Sequence, residues 1–324
     1  MQKKRFGKTD IQITPIGLGA WAIGGPWKAG WGPQDDHESE DTIKRALDLG
    51  INWIDTAAAY GLGHSEEVVG RAIKGRERPY IFTKCSLVWG ENNEERGVTN
   101  SLKAASIKRE VEDSLRRLDI DVIDLYQIHW PNPDPDLEEG WSTLAELKKE
   151  GKVRHIGVSN FSVEQMQRAE KIAPVETLQP PYSLVRPDVE KEILPYCGQH
   201  DIGVIVYSPM ASGLLTGAMS KKRMNQLAED DWRKTHPNFT GANLERNLQI
   251  AALLDLIGKE HNVTAGTVAI AWTLSNPTVT AAIVGARRPQ QIAELAAAAD
   301  FHLSEDELQL ITSFVTAHPK DVNA

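Results

Sequence analysis

Cysteine is scarce in this chain: only Cys85 and Cys197 occur among 324 residues. Cys85 lies inside an apolar run and Cys197 follows a Pro-Tyr pair, so both are expected to be buried thiols rather than parts of a disulfide framework. That usage favours a reduced, cytoplasmic setting. Long apolar runs are missing too, since none approaches the roughly 20 residues of a membrane-spanning helix. The basic N-terminus, MQKKRFGKTD, has no apolar segment behind it, so no signal peptide is expected.

A surplus of positive charge is also absent. The chain has 36 Lys and Arg against 45 Asp and Glu, a formal net charge of -9. Nonspecific nucleic-acid binding needs a basic face, so the expected partner is a small molecule rather than a nucleic acid or a membrane. The hydrophobic content of 41% is ordinary for a globular protein with a sizeable core. The length allows two average domains or one large α/β barrel.

Eight short runs rich in Val, Ile and Leu recur along the chain, and charged stretches with helical spacing separate them. The runs are TPIGLGAW, INWIDTA, PYIFTKC, VIDLYQIHW, VRHIGVSN, VETLQPPYS, GVIVYSPM and TAAIVGA. In the stretch SIKREVEDSLRRL, for example, Ile107, Val111, Leu115 and Leu118 fall on one helical face. The strand runs are nearly continuous in apolar residues, as in parallel strands that are buried on both faces.

Eight strand-helix units in roughly 300 residues predict a (β/α)8 TIM barrel, an α/β fold, as a single domain over residues 1–324. A Rossmann sheet is the alternative, but it requires a glycine-rich turn that leads directly into a helix. The segment GLGAWAIGG has no helical run directly behind it. Helix boundaries agree with the barrel, because Ser162 and Ser304 begin capping boxes. Gly50 and Gly203 are expected to separate a helix from the next strand.

Three segments fall outside these units. Residues 3–13 are predicted to form a small β-hairpin that closes the bottom of the barrel. Residues 22–37 form a long first loop, and residues 211–243 form a long loop after the seventh strand. Long loops in a compact barrel are usually functional, and these two belong to the C-terminal face, where barrels carry their active sites.

Four ionisable residues converge on that face. Asp55 ends the second strand, Tyr60 follows in its loop, Lys84 ends the third strand and His129 ends the fourth. Taken singly, each has an ordinary structural explanation, such as a turn-forming acid, a surface lysine, a core histidine or a packed tyrosine. The presence of all four on one rim of the barrel favours a catalytic site.

The residue types indicate proton transfer to a carbonyl. A phenol with a pKa of about 10 is a neutral but slow donor at neutral pH. An ammonium at Lys84 would stabilise the phenolate of Tyr60, and Asp55 would keep Lys84 charged and oriented. His129 would hydrogen-bond the substrate oxygen. None of the four residues supplies electrons, so a hydride-carrying cofactor is expected.

The segments LDLGINWIDTAAAYG, GHSEEVVG, IFTKC, DLYQIHWP, KVRHIGVSNFS, YSPMASGLLTG and AIVGARRPQQIAEL resemble the aldo-keto reductase family over roughly residues 5–300. The likeness extends to bacterial reductases that are similar to potassium channel β subunits. It implies that Asp55, Tyr60, Lys84 and His129 are the family's catalytic tetrad. It also implies reduction of aldehydes and ketones, usually with NADPH and without a metal.

The resemblance implies a set of cofactor-binding residues as well. Ser159, Asn160 and Gln179 match positions that bind the nicotinamide carboxamide, and Tyr207 matches the aromatic residue that stacks on the ring. The other cofactor-binding positions that the resemblance implies are Gly19, Ala20, Trp21, Asp55, Ser208, Pro209, Met210, Ala211, Gly213, Leu214, Gly217, Gly285, Ala286, Arg287, Gln291 and Glu294.

Arg287 and Arg288 also have a physical argument of their own. Pro289 suits the first position of the last barrel helix, and two cations just before a helix N-terminus are unfavourable because that end is already partly positive. A bound anion between the arginines and the helix would make this electrostatic interaction favourable. The pattern therefore suggests a pocket for an adenosine 2′-phosphate, and NADPH rather than NADH. Many family members have asparagine at the position of Leu295, so NADH remains the alternative.

Tryptophans cluster near the predicted site. Trp21, Trp27, Trp31, Trp89 and Trp130 all fall in loops or strand ends at the same rim. They predict an aromatic-walled substrate pocket that suits hydrophobic or aryl carbonyls.

Two other functions compete with carbonyl reduction. One is a Schiff-base aldolase or lyase with Lys84 as the nucleophile. The other is an NADPH-binding regulatory subunit with little turnover, as the resemblance to channel β subunits suggests. Whether the chain is a monomer or a homo-oligomer is left open by the sequence, as are its physiological substrate and preferred direction.

Overall fold

Strands at the centre of the molecule form a closed parallel barrel. The computed structural model describes residues 1–27, 30–90, 97–229 and 231–321. The strands found there are β1 (Lys4–Arg5), β2 (Gln12–Ile13), β3 (Ile16–Gly19), β4 (Trp53–Asp55), β5 (Tyr80–Cys85), β6 (Leu87–Val88), β7 (Thr99–Asn100), β8 (Ile123–Ile128), β9 (Val153–Ser159), β10 (Thr177–Gln179), β11 (Gly203–Val206) and β12 (Val279–Gly285).

The barrel runs in the order β3, β4, β5, β8, β9, β10, β11 and β12, and β12 pairs with β3 to close it. All eight pairings are parallel, and Gly19 lies opposite Asp55, which lies opposite Phe82. Every residue of β8 is buried, because one face of the strand fills the barrel and the other packs under helices. The predicted (β/α)8 fold is confirmed.

Helices follow each barrel strand. They are α1 (Asp36–Asp48), α2 (His64–Ile73), α3 (Ala104–Leu118), α4 (Leu137–Lys149), α5 (Val163–Glu170), α6 (Ile193–Gln199), α7 (Lys221–Asn225), α8 (Gly241–His261), α9 (Ala265–Leu274), α10 (Pro289–Leu295) and α11 (Glu305–Ala317). Ile107, Val111 and Leu118 on α3 are buried, as their spacing predicts. Both predicted capping boxes are present, at Ser162 before α5 and Ser304 before α11. Within the described ranges, no helix has the length and apolar character needed to cross a membrane.

The N-terminal hairpin closes the bottom of the barrel, as predicted. β1 and β2 pair antiparallel, and Phe6 between them packs on Phe82 of β5 with ring centroids 5.8 Å apart. This contact explains Gly203, because a Cβ atom there would lie 2.5 Å from the Phe6 ring. The prediction that Gly203 separates a helix from the next strand is wrong, because Gly203 is itself the first residue of β11. The residue with left-handed backbone after α6 is Asp201, at φ 51°, whereas Gly50, at φ 88°, does have the predicted role.

The two long loops lie at the opposite end of the barrel. The first contains a short 3-10 helix at Trp21–Gly24. The loop after β11 contains α7 and two short 3-10 segments, and it has a small apolar core of its own. That core is formed by Leu214, Met219, Met224, Phe239 and Leu244. Both predicted thiols, Cys85 and Cys197, are buried and free.

Candidate active site

A cavity of about 560 Å³ lies at the C-terminal end of the barrel. Strand ends and both long loops contribute to its wall. The predicted site residues that line it are Gly19, Trp21, Trp27, Trp31, Asp55, Tyr60, His129, Trp130, Ser159, Asn160, Gln179, Tyr207, Ser208, Pro209, Met210, Gly213 and Gly285. The sequence motifs therefore meet in one concave site, which is the usual form of a small-molecule site.

Lys84 connects two of the other tetrad members. Its Nζ lies 2.6 Å from Oδ1 of Asp55 and donates to the hydroxyl oxygen of Tyr60 at 3.2 Å. A third bond goes from Nζ to the main-chain oxygen of Thr56 at 2.9 Å. The His129 ring meets the Tyr60 ring edge to face, with centroids 5.7 Å apart. Because Lys84 donates to the phenol oxygen, the hydroxyl proton of Tyr60 remains available to another acceptor.

A second chain of hydrogen bonds begins at Asp55. Its other oxygen, Oδ2, accepts from Nε2 of Gln179 at 2.8 Å, and the main-chain oxygen of Gln179 accepts from Ser159 Oγ at 2.8 Å. Asn160 Nδ2 donates to Ser159 Oγ and to the main-chain oxygen of His129, both at 3.0 Å. Tyr207 donates to Asn160 Oδ1 at 2.8 Å. The predicted nicotinamide residues are thus joined to the predicted tetrad through direct contacts.

Glycines shape the turn that carries Tyr60. Gly61, at φ 60°, has a left-handed backbone, and a Cβ atom there would lie 1.9 Å from the main-chain oxygen of Gly24. The loop that follows β4 therefore packs tightly against the first long loop. Glycine meets both requirements because it has no Cβ and tolerates positive φ. This packing fixes the start of the turn next to the phenol.

Desolvation dominates the protonation of the cavity residues. It raises the pKa of Tyr60 above the ordinary value of 10.0, although Lys84 acts in the opposite direction. Lys84 does favour the phenolate, as predicted, but the low dielectric of the site outweighs the ammonium, so the pKa of the phenol rises on balance. Desolvation also lowers the pKa of His129 well below 6.5, and Lys84 adds to that effect.

The pair of Lys84 and Asp55 is fully enclosed. Burial opposes the charge of Lys84, but Asp55 and Tyr60 outweigh it and raise the pKa of this lysine on balance. Burial raises the pKa of Asp55, and Lys84 and Gln179 partly offset the increase. At neutral pH the site therefore holds an ammonium at Lys84, a neutral phenol at Tyr60 and a neutral imidazole at His129.

The two arginines that were predicted to bind a phosphate have different surroundings. Arg287 donates from Nε to Oε1 of Gln34 at 2.5 Å, and its other nitrogens donate to the main-chain oxygens of Trp31 and Pro33. It therefore ties the first long loop to the end of β12. The Arg288 side chain is 70% exposed, with Nε 3.6 Å from a carboxylate oxygen of Glu38. Arg288 is the better placed of the two to receive a ligand from solvent.

Some predicted residues lie elsewhere. The described residues that line the cavity do not include Trp89, whose ring packs on the guanidinium of Arg117 at 5.7 Å. This contact holds the indole away from the cavity and corrects the prediction that Trp89 is a pocket residue. Leu214 is buried in the core of the loop after β11. Ala20, Ala211, Gly217, Ala286, Gln291 and Glu294 are also outside the cavity wall.

Several residues at or beside the cavity were not predicted from the sequence. Trp232 comes from the loop after β11, and Leu87 and Asn100 come from the ribbon of β6 and β7. Gln127 lies beside Asp55, where its side chain lowers the pKa of that acid. Gln127 could have been found, because it precedes His129 by two positions and a strand places such residues on the same face. Nothing in the spacing identifies Trp232.

Comparison with known proteins gives a consistent result. A family model described as the aldo/keto reductase family matches residues 15–316. The chain is 40% identical to the aldo-keto reductase YhdN of Bacillus subtilis over 96% of this chain and 93% of that protein. It is 34% identical to the NADH-specific methylglyoxal reductase of Escherichia coli over 98% of this chain and 99% of that protein.

A solved structure is similar along its whole length. The glycerol dehydrogenase AKR11B4 from Gluconobacter oxydans superposes with a TM-score of 0.90 and is 37% identical to this chain. The match covers 99% of this chain and 98% of that one. The likeness therefore extends over nearly the whole length of both chains.

Proposed function

Because the chain belongs to the aldo/keto reductase family, and is therefore an oxidoreductase that uses a nicotinamide cofactor, we propose that it reduces aldehydes or ketones to alcohols with NADPH. One observation carries the proposal. Tyr60, Lys84 and Asp55 form one hydrogen-bonded group at the cavity. The residues predicted to bind the nicotinamide carboxamide, Ser159, Asn160 and Gln179, line the same cavity. A proton donor and a cofactor site therefore share one concave space.

Tyr60 is the general acid in this proposal. Its neutral phenol donates a proton to the carbonyl oxygen, and the ammonium of Lys84, 3.2 Å away, stabilises the phenolate that forms. Asp55 keeps Lys84 charged and directed at Tyr60. His129, as a neutral imidazole, donates a hydrogen bond to the substrate oxygen and orients it. A reduced nicotinamide supplies the hydride when it is bound.

The residues present suit a nicotinamide dinucleotide. The amides of Asn160 and Gln179 and the hydroxyl of Ser159 offer both donors and acceptors, which a carboxamide requires. Tyr207 lines the same wall and presents an aromatic ring. Arg288, largely exposed beside the N-terminus of α10, provides a cation for a 2′-phosphate. These features support NADPH, although the relative from Escherichia coli is named NADH-specific.

The aromatic wall favours a substrate with an apolar substituent. Trp21, Trp27, Trp31, Trp130 and Trp232 all border the cavity. Since part of the volume must hold the nicotinamide, we propose small aldehydes and ketones with apolar or aryl groups as the substrate class. Methylglyoxal belongs in the first panel, because one relative is named for its reduction.

The electrostatics disfavour an aldolase. A Schiff base requires a neutral Lys84, whereas Asp55 and Tyr60 raise the pKa of this lysine despite its burial. Borohydride should therefore fail to attach a carbonyl substrate to Lys84.

A regulatory subunit would bind NADPH and show negligible turnover. Loss of NADPH absorbance with the carbonyl panel, checked against enzyme without carbonyl, tests the proposal.

The pH profile of kcat is expected to be flat between about pH 6.5 and 9. The pKa of Tyr60 is raised, so the phenol keeps its proton throughout this range, and the pKa of His129 is lowered, so the imidazole stays neutral. The measurement is kcat at saturating NADPH and carbonyl in buffers of constant ionic strength. A decline that begins below pH 9 would show that Tyr60 is not the acid, or that it is far more acidic than its surroundings indicate.

Coenzyme preference is expected to depend on Arg288. Replacing Arg288 by Ala should raise the Kd for NADPH about tenfold, a loss of about 1.4 kcal/mol, and leave the Kd for NADH within about twofold. Binding is measured from the quenching of tryptophan fluorescence. Arg287→Ala is the matched comparison: because Arg287 anchors the first loop, it should weaken both dinucleotides equally. Equal weakening by Arg288→Ala would exclude a 2′-phosphate contact.

A further inference from the structure

A buried turn lies directly behind the site, between the strands that carry Lys84 and His129. Ser86 follows β5, is fully buried and has a left-handed backbone at φ 80°. Its Oγ accepts from the main-chain nitrogen of Trp130 at 3.2 Å and donates to the main-chain oxygen of the same residue at 3.3 Å. One side chain thus holds both polar backbone groups of the residue that follows His129.

Hydrogen bonds from two directions hold the main chain of His129. The main-chain nitrogen of His129 donates to the oxygen of Cys85 at 3.1 Å, one residue before Ser86. The main-chain oxygen of His129 accepts from Asn160 at 3.0 Å. The backbone position of His129 relative to β5 therefore depends on the path of the chain through Cys85 and Ser86.

Glu110 of α3 supports the turn from behind. It is 7% exposed, and its Oε2 accepts the main-chain N–H of Ser86 at 2.9 Å. Its Oε1 accepts from the hydroxyl of Ser106 at 3.0 Å. A buried N–H without an acceptor costs about 1–3 kcal/mol, so Glu110 supplies the acceptor that the buried Ser86 N–H needs.

We propose that Glu110 is a positioning residue: by accepting the Ser86 N–H it holds the turn that sets His129 and Trp130 relative to Lys84. Glu110 itself does not line the cavity and does not contact the tetrad, so it acts through Ser86. The effect on turnover rests on the carbonyl reduction proposed above, whereas the structural effect on the segment 129–130 does not.

The turn requires a hydrogen-bond acceptor at Glu110 but not its negative charge. Burial raises the pKa of Glu110 to about 7, although Ser106, the Ser86 N–H, Arg109 and Arg117 favour the carboxylate. Cys85 and Tyr126 approach from the barrel strands, and both are neutral because burial raises their pKa values. When Glu110 is protonated on Oε1, Ser106 reverses its hydrogen bond and Oε2 still accepts from Ser86. An amide can therefore replace the carboxyl group.

The kinetic test compares three variants of the full-length enzyme. Glu110→Ala should lower kcat about tenfold and raise KM for the carbonyl, because small displacements of catalytic groups are costly. Ser86→Ala keeps the N–H contact, removes both bonds to Trp130 and should lower kcat/KM about fivefold. Glu110→Gln should stay within about twofold of wild type. The Kd for NADPH should change less than about twofold in all three, since the predicted cofactor residues lie on other strands.

Amide hydrogen exchange provides a readout that does not depend on catalysis. Peptides that contain Ser86 and Trp130 should exchange faster in Glu110→Ala than in wild type, whereas Glu110→Gln should leave them protected. Ser86→Ala, which is well placed to fold because it removes only one hydroxyl, should release the Trp130 amide alone. Unchanged exchange at Trp130 in folded Glu110→Ala would overturn the proposal, whatever Ser86→Ala shows. So would unchanged kcat/KM in folded Glu110→Ala, provided that wild type turns over.

Discussion

Tyr60→Phe is expected to lower kcat by at least about a hundredfold, the usual loss when a general acid is removed. The substitution deletes the hydroxyl that accepts from Lys84 and leaves the ring against His129, Trp27 and the Lys84 ammonium. Affinity for NADPH should stay nearly constant, because the predicted nicotinamide residues lie on β9, β10 and the loop after β11. A loss in kcat without a loss in binding marks an interaction that acts in the transition state.

Tyr207→Phe is the matched control for that variant. It removes a second phenol from the same cavity, one that donates to Asn160 at 2.8 Å rather than facing Lys84. We expect a weaker NADPH complex and a kcat within about fivefold of wild type. Both enzymes are measured by NADPH oxidation with saturating carbonyl. Equal losses of kcat in the two variants, or retained activity in Tyr60→Phe, would remove Tyr60 from the role of acid.

Lys84→Met should have an effect of the same size for a different reason. The ammonium that stabilises the phenolate is lost, so kcat should fall about a hundredfold to a thousandfold. Folding should also suffer. Asp55 is 2% exposed and pairs with Lys84 at 2.6 Å, so the variant leaves a buried carboxylate without its cation, a loss of about 3–5 kcal/mol.

The double variant Asp55→Asn with Lys84→Met separates these two losses. It removes the buried charge together with its partner, so much of the free energy of unfolding should return while kcat stays low. Urea unfolding and NADPH oxidation on the same preparations give both quantities. Recovery of activity in the double variant would mean that Lys84 serves only to neutralise Asp55.

The barrel and the convergence of the tetrad could be predicted because they follow from periodicity. Parallel strands end at one rim, so Asp55, Lys84 and His129, each at or just past the end of an apolar run, had to lie near one another. Tyr60 required one further step, since it lies in a loop. Its short distance from the strand and the glycine after it limited where it could go.

Loop packing could not be predicted in the same way. Trp89 and Trp232 both lie in loops, but a cation-π contact with Arg117 holds Trp89 outside the cavity wall, and Trp232 is part of that wall. Charge alone also did not distinguish Arg287 from Arg288. The two cations before α10 suggested an anion, yet the carbonyl oxygens of Trp31 and Pro33 already receive Arg287.

The desolvation of Tyr60 could not be predicted from the sequence either. The residue types around Tyr60 indicated that Lys84 would lower the pKa of the phenol, whereas the degree of enclosure decides the sign and is known only from the packed structure. The position of Glu110 in the sequence does indicate a buried hydrogen-bonding role. It lies on the apolar face of α3, between Ile107 and Val111, where a carboxyl group needs buried donors.

Transfer of deuterium is the most direct test of the central claim, that this cavity reduces carbonyls by hydride transfer from a nicotinamide. Wild-type enzyme is supplied with NADPH that carries deuterium at both hydrogen positions on C4 of the nicotinamide and with an aldehyde from the panel, and the product is analysed by mass spectrometry. The account predicts an alcohol with deuterium on the former carbonyl carbon, formed in step with cofactor oxidation. Cofactor that is bound but not oxidised, or oxidised without deuterium in the alcohol, would contradict it.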